Sequence, residues 1–323
     1  MTAATDQKPL ELRSVELTHF GAFRECTFSW GPGLNLVTGT NGTGKTHLLR
    51  LIAAGFGHWS GMPFGQGVRE LFLGPGEPVS RLLFRDPTVR EGVVAFRMDR
   101  GSWSFRLGDS GRRPMTFSVQ IQSGLAQLET RFPRAFLFPL GIAPWLPSGG
   151  KPCPGMKPMV ARIEKSMPGR VVTRGKELRV SNTRGEIGIS LVTPVVRQLG
   201  FLSLLLRRGL MAPGSILLWD IPEADAGPTF MGVVAELLLS LQRSGIQVIV
   251  ATRDYVLLKE IDLQRQSEDD IRYHSLYRDE REDRIRVSES DDFSGMAPNP
   301  ASEAFRSLFD RDVERALSKK GPL

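Results

Sequence analysis

Residues 39–46, with the sequence GTNGTGKT, match the pattern G-x-x-x-x-G-K-[ST]. In this pattern the glycines let the backbone turn tightly, so that its N–H groups can surround phosphate oxygens. The lysine reaches the β- and γ-phosphates, and the hydroxyl of the last residue ligates Mg²⁺. The segment therefore predicts a site for Mg²⁺ and the phosphates of a nucleotide, with these cofactor-binding residues: Gly39, Asn41, Gly42, Thr43, Gly44, Lys45, Thr46 and His47.

A metal site of this kind also needs a carboxylate, and Asp220 is the candidate. It follows four apolar residues, Ile216 to Trp219, which predict a short buried strand. Ligands bind beyond the carboxyl ends of parallel strands, so we expect this strand to lie next to the strand that precedes the phosphate loop. Thr46 and Asp220 are thus the predicted Mg²⁺ ligands. Without the loop, an aspartate at the end of a strand is equally typical of a turn.

The surrounding patterns predict the elements that position these groups. Residues 11–39 have the pattern of three strands separated by turns, and an apolar helix follows the phosphate loop from His47. After residue 214 a strand, a helix (230–245) and a second strand (246–252) alternate. This order predicts a parallel, right-handed unit beside the loop strand. The predicted fold class is therefore α/β, with a mixed or parallel central sheet.

Two segments interrupt the α/β pattern. Residues 79–122 contain several strand patterns, from Leu82–Phe84 to 115–121, and predict an antiparallel β-rich insertion after the loop helix. Residues 139–158 hold 6 of the 22 prolines. We expect a Pro/Gly-rich loop there, because proline disrupts helices and inner strands. A single domain, residues 1–323, is expected to contain both segments.

Composition argues against several classes of protein. The chain of 323 residues has a net charge of +7 and is 41% hydrophobic, as in ordinary globular domains. No apolar run is long enough to span a membrane, and the N-terminus lacks the apolar core of a signal peptide. The two cysteines, Cys26 and Cys153, are too few for a disulfide framework or a zinc site. We therefore expect a cytoplasmic protein with no membrane partner.

Charge is unevenly distributed along the chain. Residues 151–210 hold 12 Lys and Arg against three Asp and Glu, whereas residues 261–292 hold 11 acids against six arginines. A basic surface can follow the phosphates of nucleic acid, which makes DNA a candidate partner. A solvated surface without a ligand is the alternative, since the basic segment lacks the interleaved aromatic residues of a base-stacking platform.

Three stretches resemble the ABC-class ATPases of the RecF, SMC and OLD-nuclease branch. They are LRSVELTHFGAFRECTFSWGPGLNLVTGTNGTGKT (12–46), SILLWDIPEADAGP (215–228) and IQVIVATRDYVLLKEI (246–261). The resemblance implies an ABC-type P-loop NTPase core that binds ATP and Mg²⁺. The chain looks like the small bacterial AAA-family ATP-binding proteins of this branch, which occur alone or beside nucleases in defence loci. It is too short for the coiled coil of an SMC protein or the nuclease domain of an OLD protein.

Compared with that family's pattern, the binding positions are kept and the hydrolysis positions are altered. The glutamate that polarises the attacking water is replaced by Ile221, which cannot accept a proton. The histidine that senses the γ-phosphate is replaced by Arg253, whose charge can bind that phosphate directly. The segment 191–200 lacks the serine-glycine pair of the signature motif. Glu223 is then either the catalytic base or a carboxylate that stabilises the start of a helix.

We therefore expect an ATP-binding protein with weak or absent hydrolysis that acts as a nucleotide-dependent sensor or assembly subunit. The resemblance implies that ATP clamps two copies, or one copy and a related ATPase or effector such as a nuclease, with a role in anti-phage defence. The alternative is an active DNA-binding ATPase of repair or recombination that uses Glu223 as its base. A P-loop kinase is disfavoured, because no arginine-rich lid is evident.

Overall fold

Six strands form the central sheet in this computed structural model, which describes residues 10–59, 63–108, 116–121, 135–138, 154–175, 177–224 and 226–318. Numbered with the other strands in chain order, they are β3 (Leu34–Gly39), β7 (Ala135–Phe138), β11 (Ile216–Asp220), β12 (Gln247–Ala251), β13 (Ile271–Asp279) and β14 (Arg284–Ser290). Their order is β14-β13-β3-β12-β11-β7, and all neighbours are parallel except the antiparallel pair β13 and β14. The predicted α/β fold with a mixed central sheet is confirmed.

Seven α-helices lie within the described ranges. They are α1 (Lys45–Trp59), α2 (Phe64–Phe72), α3 (Lys157–Lys165), α4 (Pro194–Arg207), α5 (Met231–Arg243), α6 (Tyr255–Gln264) and α7 (Pro300–Ser318). The helix predicted after the phosphate loop is α1, and the helix predicted at 230–245 is α5. As predicted, β11, α5 and β12 form a parallel strand–helix–strand unit with β12 beside β3.

Helices cover both faces of the central sheet, which explains the continuous apolar runs of its inner strands. Every residue of β3 and β12 is buried. Val37 and Ile249 point to a core that they share with Leu49 of α1. Leu36 and Val250 point to the opposite core, which α4, α5 and α6 complete. The two cores hold β3 and β12 in place, and the phosphate loop and the turn after β12 begin at the ends of these strands.

A second, antiparallel sheet packs against α1 and α2. Its strands are β1 (Leu12–Phe20), β2 (Phe23–Ser29), β4 (Glu91–Met98), β5 (Gly101–Gly108) and β6 (Thr116–Ile121), in the order β2-β1-β4-β5-β6. The strands of the 79–122 segment therefore extend the sheet begun by the N-terminal hairpin. The strand predicted at Leu82–Phe84 is wrong: Val79–Leu82 form a 3₁₀ turn, and Leu83 makes only an isolated bridge to Phe20.

A third sheet lies in the segment that the sequence left unassigned. It contains β8 (Arg170–Arg174), β9 (Glu177–Asn182) and β10 (Gly185–Gly188), in the order β10-β9-β8, and is antiparallel. The predicted loop at 139–158 lies outside the described residues as far as residue 153. Its last part is helical: a 3₁₀ turn covers Pro154–Met156, and Pro158 lies in the first turn of α3, where a proline costs no hydrogen bond.

Helix α7 is exposed along almost its whole length. Asn299 caps its start, since the backbone N–H of Ser302 donates to Asn299 Oδ1 at 3.0 Å. Phe305 stacks on Tyr255 of α6, with ring centroids 4.4 Å apart. Beyond that contact the helix exposes further large apolar side chains: Leu308, Phe309, Val313 and Leu317.

Two expectations from composition can be compared with the described residues. Over those ranges, no helix combines the length and the apolar character that crossing a membrane requires. Cys26 is a free, buried thiol on β2, and burial raises its pKa to about 12. Cys153 lies outside the described residues.

Candidate nucleotide site

The phosphate loop joins the end of β3 to the start of α1, and its glycines are required by the backbone. Gly39, Gly42 and Gly44 have φ angles of 142°, 82° and 92°, which side chains other than glycine rarely adopt. A Cβ atom on Gly39 would lie 2.3 Å from the carbonyl oxygen of Leu276, and one on Gly44 would lie 2.6 Å from the ring of Phe23. The loop therefore presents its backbone to the cleft at the N-terminus of α1, where anions bind favourably.

Lys45 is the first residue of α1, and its ammonium group is folded onto the loop. Its Nζ donates hydrogen bonds to the carbonyl oxygens of Gly39 and Thr40, at 2.6 and 2.9 Å. Burial lowers the pKa of Lys45, and the nearby charge of Arg253 lowers it further. The hydroxyl of Thr43 also bonds within the loop, to the carbonyl of Thr40 at 2.9 Å. The Lys45 ammonium group is therefore bonded to carbonyl oxygens of the loop. A phosphate oxygen bound in the loop can replace them as its hydrogen-bond acceptor.

Thr46 and Asp220, the two predicted metal ligands, lie side by side. Thr46 Oγ1 donates to Asp220 Oδ2 at 2.8 Å. Burial raises the pKa of Asp220, opposed by the hydrogen bond from Thr46 and by the charges of Arg50 and Lys45. One part of the prediction is wrong: β11, which carries Asp220, is not next to β3, because β12 lies between them. The carboxylate still reaches Thr46, because α1 starts on the same edge of the sheet.

This pair of oxygen donors fits Mg²⁺, which usually takes one or two carboxylate or hydroxyl ligands and keeps several waters. No cluster of three or more His, Cys, Asp or Glu side chains suitable for a metal occurs in the described part of the chain. A bound Mg²⁺ at Thr46 and Asp220 would therefore need further oxygen ligands from water and from phosphate. That requirement is met by a nucleotide in the loop.

Arg253 follows β12 and reaches the phosphate loop. Its Nη1 donates to Asn41 Oδ1 at 2.9 Å, and both residues are exposed at the mouth of the cleft. The fold therefore brings together Arg253 and the loop, which are far apart in sequence. His47 is also exposed, with its ring 5.5 Å from that of Phe72.

Glu223 lies in a turn after β11 and does not begin the helix that follows it in the chain, since α5 begins only at Met231. It lies instead beside the start of α6, because its partner Arg253 directly precedes Asp254, the N-cap residue of that helix. Glu223 Oε1 accepts a hydrogen bond from the backbone N–H of Arg253 at 3.1 Å. Oε2 is buried and has no hydrogen-bond partner of good geometry among the described residues. Burial raises the pKa of this carboxyl group, and the Arg253 N–H and the Thr252 hydroxyl oppose that shift.

The loop, Asp220 and Arg253 enclose a cleft of about 220 Å³. Ile221 and Ala22 also line it, on the sides of β11 and of the β1–β2 turn. Ile221 has a φ angle of 53°, which is rare for a β-branched residue and is typical of strained functional positions. Sequence reasoning did not identify Ala22, because a small apolar residue in a turn carries no chemical signal.

A larger cleft of about 780 Å³ adjoins the first one and shares His47 with it. Phe72 contributes an aromatic wall, and three arginines line it: Arg81, Arg85 and Arg90. No sequence pattern indicates this adjoining cleft, because apart from His47 its residues come from α2 and from the segment between α2 and β4.

The fold is similar to that of SMC head domains of known structure. The SMC head bound to the C-winged helix domain of ScpA is 13% identical, with a TM-score of 0.61 over 87% of this chain and 97% of that chain. The Pyrococcus furiosus SMC head with an extended coiled coil, bound to the C-terminal domain of ScpA, is 12% identical, with a TM-score of 0.59 over 94% and 100%. The Thermotoga maritima SMC head domain is 12% identical, with a TM-score of 0.52 over 87% and 99%.

These likenesses show the fold alone, which is that of SMC head domains. No protein-family model matches the sequence, and no curated protein matches it either.

Proposed function

We propose that this protein binds ATP and Mg²⁺ between the phosphate loop and Asp220, and acts as a nucleotide-dependent sensor or assembly subunit with slow hydrolysis. The observation that carries the proposal is the hydrogen bond of 2.8 Å between Thr46 and Asp220. It joins the hydroxyl and the carboxylate that a magnesium-nucleotide site requires. The SMC-head fold supports the same proposal, since it is a fold of ATPases.

Each binding residue has a defined task in this proposal. Backbone N–H groups of the loop and the start of α1 hold the β-phosphate. Lys45 exchanges its two carbonyl acceptors for phosphate oxygens. Thr46 and Asp220 would hold Mg²⁺, whose positive charge would offset that of the phosphates. His47 lies where the two clefts meet, so the nucleoside extends from the phosphate cleft into the adjoining one.

Slow hydrolysis follows from the residue after Asp220. Ile221 lines the cleft where the family carries its water-polarising glutamate, and its side chain accepts no proton. A site that binds ATP but hydrolyses it slowly stays in the ATP-bound state, which suits a switch better than a motor. Loops that become ordered around the γ-phosphate would supply the free-energy difference between the ATP-bound state and the state without ATP.

The partner that we propose is a second copy of this chain, clamped by ATP, as the family resemblance implies. A related ATPase or a nuclease effector is the alternative partner, and a role in anti-phage defence rests on the resemblance alone. Two of the three SMC heads described above have a ScpA domain bound, so this fold can dock a second polypeptide. The exposed apolar side chains of α7 support a protein partner, because such patches are usually covered.

An active DNA-working ATPase is the second candidate. Its support is Glu223, whose pKa is raised by burial as in many general bases. The basic surface supports it less, because its arginines pair with glutamates: Arg170 with Glu164 at 3.2 Å, Arg174 with Glu186 at 3.0 Å and Arg179 with Glu177 at 3.3 Å.

Calorimetry and phosphate release test the proposal together. We expect binding of ATP that strengthens with Mg²⁺, and turnover below the range of about 1–10³ s⁻¹ that is common for enzymes. Light scattering with and without ATP should show ATP-dependent dimers. Failure of the wild-type protein to bind ATP at any Mg²⁺ concentration would overturn the proposal, and brisk turnover would favour the second candidate.

A further inference from the structure

Glu223 and Arg253 connect two turns at the edge of the phosphate cleft. Strands β11 and β12 are parallel neighbours, with Asp220 paired opposite Ala251. The backbone N–H of Ile221 donates to the carbonyl of Ala251 at 2.8 Å, and this is the last backbone bond between them. Beyond it, the bond of 3.1 Å from the Arg253 N–H to Glu223 Oε1 continues the connection through a side chain.

The side chain of Arg253 then crosses to the phosphate loop. Its Nη1 donates to Asn41 Oδ1 at 2.9 Å, while Lys45 is held by two carbonyls of the same loop. The two cations lie close enough for the charge of Arg253 to lower the pKa of Lys45. A phosphate chain in the loop would therefore find two cationic donors, one from α1 and one from the turn after β12.

Glu223 is placed behind this arrangement. The cleft is lined by Asp220, Ile221, Thr252 and Arg253, and Glu223 is not one of the described residues that form its wall. A general base has to be within hydrogen-bond reach of the water that it activates. A group that only holds a neighbouring turn does not need to reach that water, and the bond from the Arg253 N–H to Glu223 Oε1 is sufficient for holding the turn.

We infer that Glu223 is a positioning residue: by holding the Arg253 amide, it presents the Arg253 guanidinium to the phosphate loop, where Arg253 selects nucleoside triphosphate over diphosphate. The selection rests on the proposed function, because it takes ATP as the ligand. The planar fork of arginine suits phosphate oxygens, and a diphosphate lacks the terminal group nearest to a donor at the cleft mouth. Arg253 thus serves a binding role that does not require proton transfer.

The first arm of the test needs no nucleotide. Hydrogen–deuterium exchange of peptides spanning 252–257 is measured in wild type, Glu223→Gln, Glu223→Ala and the control Glu236→Ala, whose surface carboxylate pairs with Arg162 at 2.8 Å. Glutamine keeps an acceptor for the Arg253 amide, whereas alanine removes it. We expect exchange about threefold to tenfold faster in Glu223→Ala only, as for one lost hydrogen bond. Unchanged exchange in a folded Glu223→Ala protein overturns the positioning role.

The second arm compares ATP with ADP by calorimetry, in the presence of Mg²⁺. Arg253→Ala should reduce the preference for ATP by about tenfold to a hundredfold, the value of a charge-assisted hydrogen bond. Glu223→Ala should shift the ratio in the same direction, and adding it to Arg253→Ala should change nothing further, since both act through one side chain. Glu223→Gln should keep the wild-type ratio.

The outcomes separate the two proposals. If Glu223→Gln abolishes turnover and leaves the ATP-to-ADP ratio intact, Glu223 is a base and the inference is overturned. If Arg253→Ala keeps the wild-type ratio, Arg253 does not select the triphosphate. If the wild-type protein binds neither nucleotide, the proposed function fails, and the exchange measurement alone decides whether Glu223 holds the turn.

Discussion

The Thr46 hydroxyl lies 2.8 Å from Asp220 Oδ2, although 174 positions separate the two residues in the chain. Burial raises the pKa of Asp220, so the native state holds its proton more tightly than the unfolded chain does. The stability that this provides is present in acid and is lost as the pH rises from about 4 through the raised native pKa. At neutral pH the buried carboxylate therefore destabilises the fold, as expected for a residue kept for a ligand.

Asp220→Asn should accordingly raise the unfolding temperature at pH 7 without nucleotide or Mg²⁺, and should weaken Mg²⁺-dependent ATP binding by at least about tenfold. Differential scanning calorimetry and titration calorimetry measure the two effects. Titrations in EDTA provide the internal control, because there the variant and the wild type should bind ATP alike. Equal ATP affinity of both proteins with Mg²⁺ present would contradict the metal role of Asp220.

Lys45→Ala should weaken ATP binding by about tenfold to a hundredfold, since it removes a charge-assisted contact with the phosphates. Titration calorimetry with ATP and Mg²⁺ gives the result. The matched control is Lys259→Ala, which removes the same charge from α6, where Lys259 pairs with Asp262 at 2.7 Å. Similar losses in both variants would show a general effect of net charge, and would contradict the assignment of the loop.

His274 makes stability depend on pH. It is fully buried on β13, with its ring 4.6 Å from that of Trp30, and burial lowers its pKa despite Glu289 nearby. The native state therefore binds this proton less tightly than the unfolded chain. The stability is complete above the unfolded value of about 6.5 and falls with pH below it, by up to about 1.4 kcal/mol per unit.

His274→Phe should lose less stability than the wild type between pH 7 and pH 5, because phenylalanine keeps a ring on Trp30 but takes up no proton. The free energy of unfolding in urea at each pH provides the measurement. Comparing the two curves removes the contribution of the titratable groups that do not contact His274. Parallel curves would mean that native His274 takes up its proton as readily as the unfolded chain does, and would contradict the prediction.

The parts of the site that the sequence predicted are those whose geometry is local. The spacing of Gly39, Gly44 and Lys45 defines a loop because each residue serves the same short turn. Asp220 was predicted because the phosphate loop requires a carboxylate at the end of a buried strand, although an aspartate in that place is otherwise equally typical of a turn. The place of β12 between β3 and β11 was not predicted, since strand order depends on packing between distant segments.

The roles of Glu223 and Arg253 show the same limit. The family pattern directed attention to the proton-accepting ability of Glu223, and its sequence neighbours suggested a helix start. Its actual partner, the backbone N–H of Arg253, comes from the turn after β12 and has no sequence signal. The three-stranded sheet β8–β10 was also missed, because its short strands alternate charged and small residues and bury only a few apolar ones, among them Val171, Leu178 and Val180.

DNA binding by the basic surface should be weak, because Glu186 pairs with both Arg174 and Arg179. We expect a shallow dependence of the logarithm of affinity on the logarithm of salt concentration. Glu186→Gln frees Arg174 and leaves Arg179 with Glu177 alone, and should steepen the slope by about 0.9 for each new phosphate contact. Fluorescence anisotropy of a labelled duplex from low to physiological salt measures it, with Glu260→Gln as a control for net charge. A steep wild-type slope that Glu186→Gln leaves unchanged would place DNA on another surface.

Ile221→Glu should convert the slow site into a faster ATPase. Ile221 lines the cleft directly after Asp220, and its φ angle of 53° disfavours a β-branched side chain, so an unbranched glutamate fits this backbone at least as well. General bases typically contribute about 10²–10⁴ in rate. Phosphate release under saturating ATP and Mg²⁺ should therefore rise well above the wild-type rate.

Ile221→Gln is the matched control. Glutamine has nearly the same shape as glutamate but is not a base, so this variant should stay slow. Adding Glu223→Gln to Ile221→Glu should leave the new activity unchanged, because the introduced carboxylate would activate the water by itself. A wild-type protein that already turns over at tens per second, or an Ile221→Glu protein no faster than Ile221→Gln, would show that Ile221 is not what limits hydrolysis.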